Sequence, residues 1–148
     1  MLSQEMAAIV YMVRNLNLGA AEYFREVPEN IRTPAVYFPN PEISAGQDTF
    51  TSYKNTYTLY MQVIGKDTEQ SCELAGKIVE EVQKKERRIE MYDETGTVTE
   101  HVCVIKNMDA KVIDTGVTQI KLVWDTRKNR ELPKKIQEFD VSIRKKGE

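Results

Sequence analysis

At 148 residues the chain has the length of one domain, and a chain of this size removes roughly two-thirds of its unfolded surface from water on folding, so it can hold a core unaided. With 41% hydrophobic and 30% charged residues and a formal charge of −2, it has a globular composition and not that of a generally basic nucleic-acid binder. No apolar run approaches the ~20 residues that span a bilayer, so no membrane partner is expected, and the opening Met-Leu-Ser-Gln-Glu-Met lacks the basic start and apolar core of a signal peptide, which points to the cytoplasm.

Leu2, Met6, Ile9, Val10, Val13 and Leu16 recur every three or four residues, which predicts an amphipathic helix over the first sixteen residues. Gly19 and Pro28 limit its continuation, with Ala20 to Arg25 free to add a further turn or two. Thr33 to Phe38 is a short extended run, and Pro34, Pro39 and Pro41 assign it to a sheet edge or a strand beginning. Glu42 to Asn55 holds Ser44, Gly46, Asp48 and Ser52 without hydrophobic periodicity apart from Phe50 and Tyr53, and reads as a long loop. Tyr57, Leu59, Met61 and Val63 then share one face of a strand that ends at Gly65. Asp67 and Gln70 form a capping box that opens a second helix, whose stripe is Cys72, Ala75, Val79 and Val82 with Leu74 and Ile78 beside them. This strand-to-helix joint is the best-specified unit in the chain.

Downstream, Arg88 to Tyr92 alternates and Asp93-Glu94-Thr95-Gly96 supplies a turn into a second extended run from Val98, in which Val102, Val104 and Met108 oppose Cys103 and Ile105. Asp114-Thr115-Gly116 turns the chain into Val117 to Trp124, where Ile120 and Leu122 alternate with Lys121 and Val123, giving a three- or four-stranded antiparallel meander. Arg127 to Lys135 is polar and contains a proline. Ile136, Phe139, Val141 and Ile143 form a last alternating piece, a separate C-terminal strand or arm. The expected architecture is therefore α+β: a mixed, mainly antiparallel sheet with an N-terminal and a central helix packed on one face, plus a loop and a C-terminal arm. One domain is expected over residues 1–130, with 131–148 as the arm.

Charge is uneven. From Lys121 to Glu148 there are nine Lys or Arg against five Asp or Glu, leaving 12 against 18 elsewhere. A solvated face accounts for such a segment, and an interface with an acidic neighbour is the sharper reading. Cys72 on the helix stripe and Cys103 in a strand read as free thiols, with no disulfide. His101 and Cys103 lie two apart on one strand, but two ligands fall short of the three or four a metal site needs. No phosphate-binding glycine loop, nucleophile arrangement or inward carboxylate pair is present, so no catalytic residue, cofactor or metal is expected and enzymatic activity is not indicated. Tyr53, Tyr57, Tyr60 and Trp124 lack the interleaved basic residues of a nucleic-acid-binding sheet.

The N-terminal helix, the Pro34-Ala-Val-Tyr-Phe-Pro39-Asn-Pro41 segment, the Tyr57 to Gly65 strand, the Asp67 to Lys85 helix and the meander ending in Val117 to Asp125 follow an order that resembles the tail-terminator and tail-completion proteins of tailed bacteriophages and phage-like contractile particles. The resemblance covers most of the chain and carries no catalytic motif. It implies a subunit of a ring, hexameric in that family, which caps the finished tail tube, ends polymerisation and offers a joining surface to the head or neck. The implied partners are other copies of the chain, the tail-tube protein, a sheath protein, and a head or neck connector, with DNA passing through the lumen. It implies a place in a virion tail assembled in the bacterial cytoplasm. A head-to-tail connector or neck adaptor is the competing reading, and a stand-alone binding module a third. Apolar side chains in segments without evident cover, Phe50, Tyr53, Phe139, Val141 and Ile143, are the expected interface residues.

Overall fold

The computed structural model describes residues 4–129. Helix α1 (Gln4–Asn15) buries Met6, Ile9, Val10 and Val13 as the three-and-four spacing requires, together with Ala8 and Met12. It ends where Asn17 and Gly19 adopt positive φ, a conformation that stops helix propagation. The next residues are extended, not helical: Ala21–Phe24 is strand β1, paired in parallel with β2 (Ala35–Phe38). The helical reading of Ala20 to Arg25 is thus corrected. Tyr23 and Phe24 favour extended backbone, β2 offers a ladder, and Phe24 stacks on Phe38 at 5.4 Å between ring centroids. Arg14 grips Glu22 through two bonds of 2.9 and 2.7 Å, tying β1 back to the helix.

Strand β2 is an interior strand and not an edge, because β1 covers one side and β4 (Ser52–Ile64) the other. Pro34 and Pro39 bracket it without entering it, so neither removes a donor that the ladder needs. The expected loop at Glu42 to Asn55 is a β-hairpin: β3 (Glu42–Gln47) pairs antiparallel with β4 over six residue pairs, from Glu42↔Thr58 to Gln47↔Tyr53. All six β3 residues are exposed. With neither face covered, the strand has no hydrophobic alternation to show, and its backbone ladder alone makes it a strand.

Helix α2 (Thr68–Lys84) begins as the sequence indicates. Asp67 accepts from the Gln70 backbone N–H at 2.8 Å, and the Gln70 side chain accepts from Lys66 N–H, one residue before the cap. Its inward stripe is Ser71, Leu74, Ala75, Ile78 and Val82. Cys72 is exposed and Val79 only half-buried, so the predicted stripe is rotated by one residue at its start. The reason is polar: Ser71 takes the inward position because its hydroxyl lies 2.9 Å from that of Thr118, a buried pair, and donates to the Thr68 carbonyl at 2.9 Å.

Strands β5 (Arg88–Tyr92), β6 (Val98–Asp114) and β7 (Val117–Asn129) form the meander, and the strand order is β1-β2-β4-β7-β6-β5 with β3 also on β4. Strand β7 continues past Trp124 through the polar Asp125–Asn129, paired along its length with β4. Leu59, Met61, Val63, Ile120, Leu122, Trp124 and Ile105 meet the two helices in one core. The sheet's other face is polar, with Tyr60, Asp109, Lys111, Gln119 and Lys121 lining a shallow groove. The start of α2 is closed onto the β6–β7 turn: Gly65 N–H donates to Gly116 O, and Gly116 N–H to the Thr68 hydroxyl, both at 2.9 Å.

Candidate assembly interface

The β3–β4 hairpin carries the most exposed large apolar side chain of the described residues, Phe50, at 84%. Its tip is nonetheless well tied. Thr49 and Ser52 exchange backbone bonds, and Ser52 Oγ donates to Asp48 at 2.8 Å. Arg127 of β7 closes the tip from the neighbouring strand, its Nε 2.7 Å and its Nη2 3.2 Å from the two Asp48 oxygens. Phe50 therefore stands on a braced support. Ile43, on the outer strand of the same hairpin, is 63% exposed. Tyr53 differs: it is half-buried inside the ladder, between Gln47 and Lys128.

Beside this hairpin the sheet forks. Strand β6 pairs with β7 from Asp114↔Val117 as far as Ile105↔Trp124, and a β-bulge between Ile105 and Asn107 bends it away. Beyond the bend its first part, Val102 to Val104, pairs with β5, while β7 from Asp125 to Asn129 pairs with β4. The two prongs enclose a cleft of about 470 Å³. Met91, Cys103 and Trp124 are buried in its walls, Val102 and Val104 are exposed, and Gln4 and Glu5 of α1 close the helix side. Glu5 accepts from the Thr126 hydroxyl at 3.2 Å. Trp124, at the crotch of the fork and stacked on Tyr57 at 5.6 Å, keeps a buried Nε1–H without an acceptor among the described residues.

The electrostatics of the fork are set by a few groups. Asp125, at the root of the free β7 prong, is pushed up by partial burial. The Thr56 hydroxyl at 2.7 Å and the ammonium groups of Lys106 at 3.4 Å and Lys54 at 3.8 Å outweigh that and hold its carboxyl below the ordinary range. Burial, helped by Glu5, pushes the Cys103 thiol up to about 12, which makes it an inert core residue and not a nucleophile. His101 is exposed at the mouth of the cleft. Among the described residues no three His, Cys, Asp or Glu side chains gather as a metal would need.

Of the expected interface residues, Phe50 and Tyr53 lie on one hairpin, the first presented to solvent and the second part of the sheet. Phe139, Val141 and Ile143 lie outside the described residues. Sequence reasoning missed the fork. Its one signal was the alternation Val102-Cys103-Val104-Ile105, apolar on both faces, which marks a strand buried on one side and unexplained on the other.

No protein-family model matches the chain. It is 26% identical over 105 residues, 71% of its own length and 72% of the relative's, to the phage-like element PBSX protein XkdJ of Bacillus subtilis strain 168. The uncharacterised protein YqbJ of the same strain is 23% identical over 126 residues, 85% of this chain and 86% of YqbJ. A chain in the solved virion of a native gene transfer agent particle superposes with a TM-score of 0.49 at 14% identity, covering 83% of this chain and 92% of that one.

Proposed function

We propose that the chain is a structural subunit of a phage-like particle, one that assembles as a ring on the end of the tail tube, stops tube polymerisation and presents the joining surface for the head or neck. The observation that carries the phage-like-particle part of this reading is the similarity to a PBSX phage-like element protein over 71% of the chain, and the ring and tube-end role rests on the resemblance in element order. The surface is consistent with it. The braced, exposed Phe50 and the forked sheet are contact features, and the buried thiol of Cys103 removes one nucleophile. A ring of more than two subunits uses two different surface patches on each subunit, joined head to tail and closed when the rotation allows. The fork is a candidate for one of them. A neck adaptor is the second reading, favoured by the basic segment from Lys121 to Glu148, which suits an acidic neighbour.

The test is assembly state. One chain has a mass of 17.1 kDa and a hexamer about 103 kDa. Light scattering of the purified protein, followed by microscopy after its addition to tail tubes, is expected to give ring-sized particles seated on tube ends. A monomer in both settings overturns the ring, and rings that bind heads but ignore tubes favour the neck adaptor.

A further inference from the structure

We propose that the fork between β6 and β7 is a strand receptor, filled by residues 136–143 of a neighbouring copy of this chain. This rests on the self-assembly proposed above and specifies its contact. Three features point to an extended peptide as the occupant. The walls are strand edges: beyond the Ile105↔Trp124 pair, the ladders given to Val102–Val104 and to Asp125–Asn129 run to β5 and β4, on their outer sides. An inserted strand would meet backbone donors and acceptors on both sides, the arrangement used in strand-addition recognition. The floor is apolar, made of Met91, Cys103 and Trp124, so it takes side chains from one face of a strand. Trp124 adds a buried N–H still lacking an acceptor among the described residues.

The chain holds one segment outside the described residues with the matching pattern. Phe139, Val141 and Ile143 alternate with Asp140, Ser142 and Arg144, an apolar face and a polar face. The described chain ends at Asn129, at the fork's open end, which leaves 19 residues to reach a receptor. A neighbour is the source that fits the self-assembly proposed above, which needs a contact between copies. On the free β7 prong Thr126 and Lys128 share the floor side with Trp124, so an inserted strand finds two floor-side positions there beside the β6 prong. Because donor and receptor are different patches, repeated donation builds a head-to-tail array, which closes into a ring when the rotation allows.

The experiment uses full-length chains with Cys72→Ser to remove the exposed thiol. One carries Val104→Cys on the exposed face of the fork, the other Ser142→Cys on the polar face of the donor, which lies on the same side when Val141 faces the floor, each with a different affinity tag. After mixing, a short bis-maleimide is expected to give a heterodimer carrying both tags, and excess synthetic peptide of residues 131–148 to reduce its yield at least tenfold. Absence of the heterodimer overturns the proposal. So does a doubly substituted chain that cross-links within itself at high dilution. Light scattering and microscopy on the same samples, alone and with tail tubes added, separate the two levels: ring-sized particles without the cross-link sink the strand receptor alone, and a monomer in both settings without it sinks both.

Discussion

Gly65 and Gly76 are both glycines of the strand-to-helix unit, yet replacing each by alanine is expected to move stability in opposite directions. A Cβ built at Gly65 would stand 2.7 Å from Ser71 N, 2.9 Å from Asp67 O and 3.1 Å from Gln70 Cβ. Two of these are backbone atoms of the cap itself and cannot swing aside. Gly65→Ala must therefore push the first turn of α2 away, straining the Asp67 cap and the Gly65–Gly116 hydrogen bond that closes the helix onto the β6–β7 turn. Overpacking of this kind costs about 1–3 kcal/mol and a lost N-cap about 0.5–2 kcal/mol, so a loss of about 2–4 kcal/mol is expected. Gly76 lies exposed within α2, and a methyl group there would have no neighbouring side chain or other element within 4 Å. Gly76→Ala is expected to gain about 0.5–1 kcal/mol from helix propensity. At roughly 2–4 °C per kcal/mol for a chain of this size, thermal melting should show Gly65→Ala lower by about 4–16 °C and Gly76→Ala higher by about 1–4 °C. A neutral Gly65→Ala would refute the close approach of strand, helix and turn on which the fold description depends.

Phe50→Asp should leave the melting temperature within the range of an ordinary surface change, about 0.5 kcal/mol, because the side chain touches little, while ring or tube-end binding falls at least tenfold; a large loss of stability would place Phe50 in the fold instead. Truncation after Arg130 should leave a cooperative melt, since the core named above lies wholly within residues 4–129, and should abolish assembly. If Phe139, Val141 and Ile143 belonged to the monomer core, each would take away about 1.5–3 kcal/mol and the truncated chain would not fold. Asp125, held below its ordinary range, stabilises the fold above the unfolded-state value of about 3.9, and that contribution is lost as pH falls through the lower folded-state value. The melting difference between wild type and Asp125→Asn should thus be present at neutral pH and vanish in acid; a difference independent of pH contradicts the assignment.

The parts of the fold that could be read in advance are those in which one face is buried and the other wet. Leu59, Met61 and Val63 alternate, α1 keeps its three-and-four spacing, and the Asp67 cap announces α2, because each pattern is imposed by contact with one core. Strand β3 escaped because hydrogen bonding to β4 suffices to form it and leaves no trace in side-chain hydrophobicity. Strand β1 escaped for a related reason: a short parallel partner is created by β2 and not by its own four residues. The shift from Cys72 to Ser71 turned on a hydroxyl pair with Thr118, 47 residues away, which no local period encodes. Of the candidate site, Phe50 was visible as an aromatic among polar neighbours. The fork was not, since it arises from the bulge near Lys106, where one strand leaves one partner for another.

The central claim, that this chain ends and joins a tube, is tested most directly by the length distribution of tails, measured by electron microscopy, in cells of the source organism lacking only this chain. Overlong tubes without heads are expected, restored to uniform, joined tails by the wild-type chain and not by the Phe50→Asp variant. Tails of normal length joined to heads in its absence would contradict it.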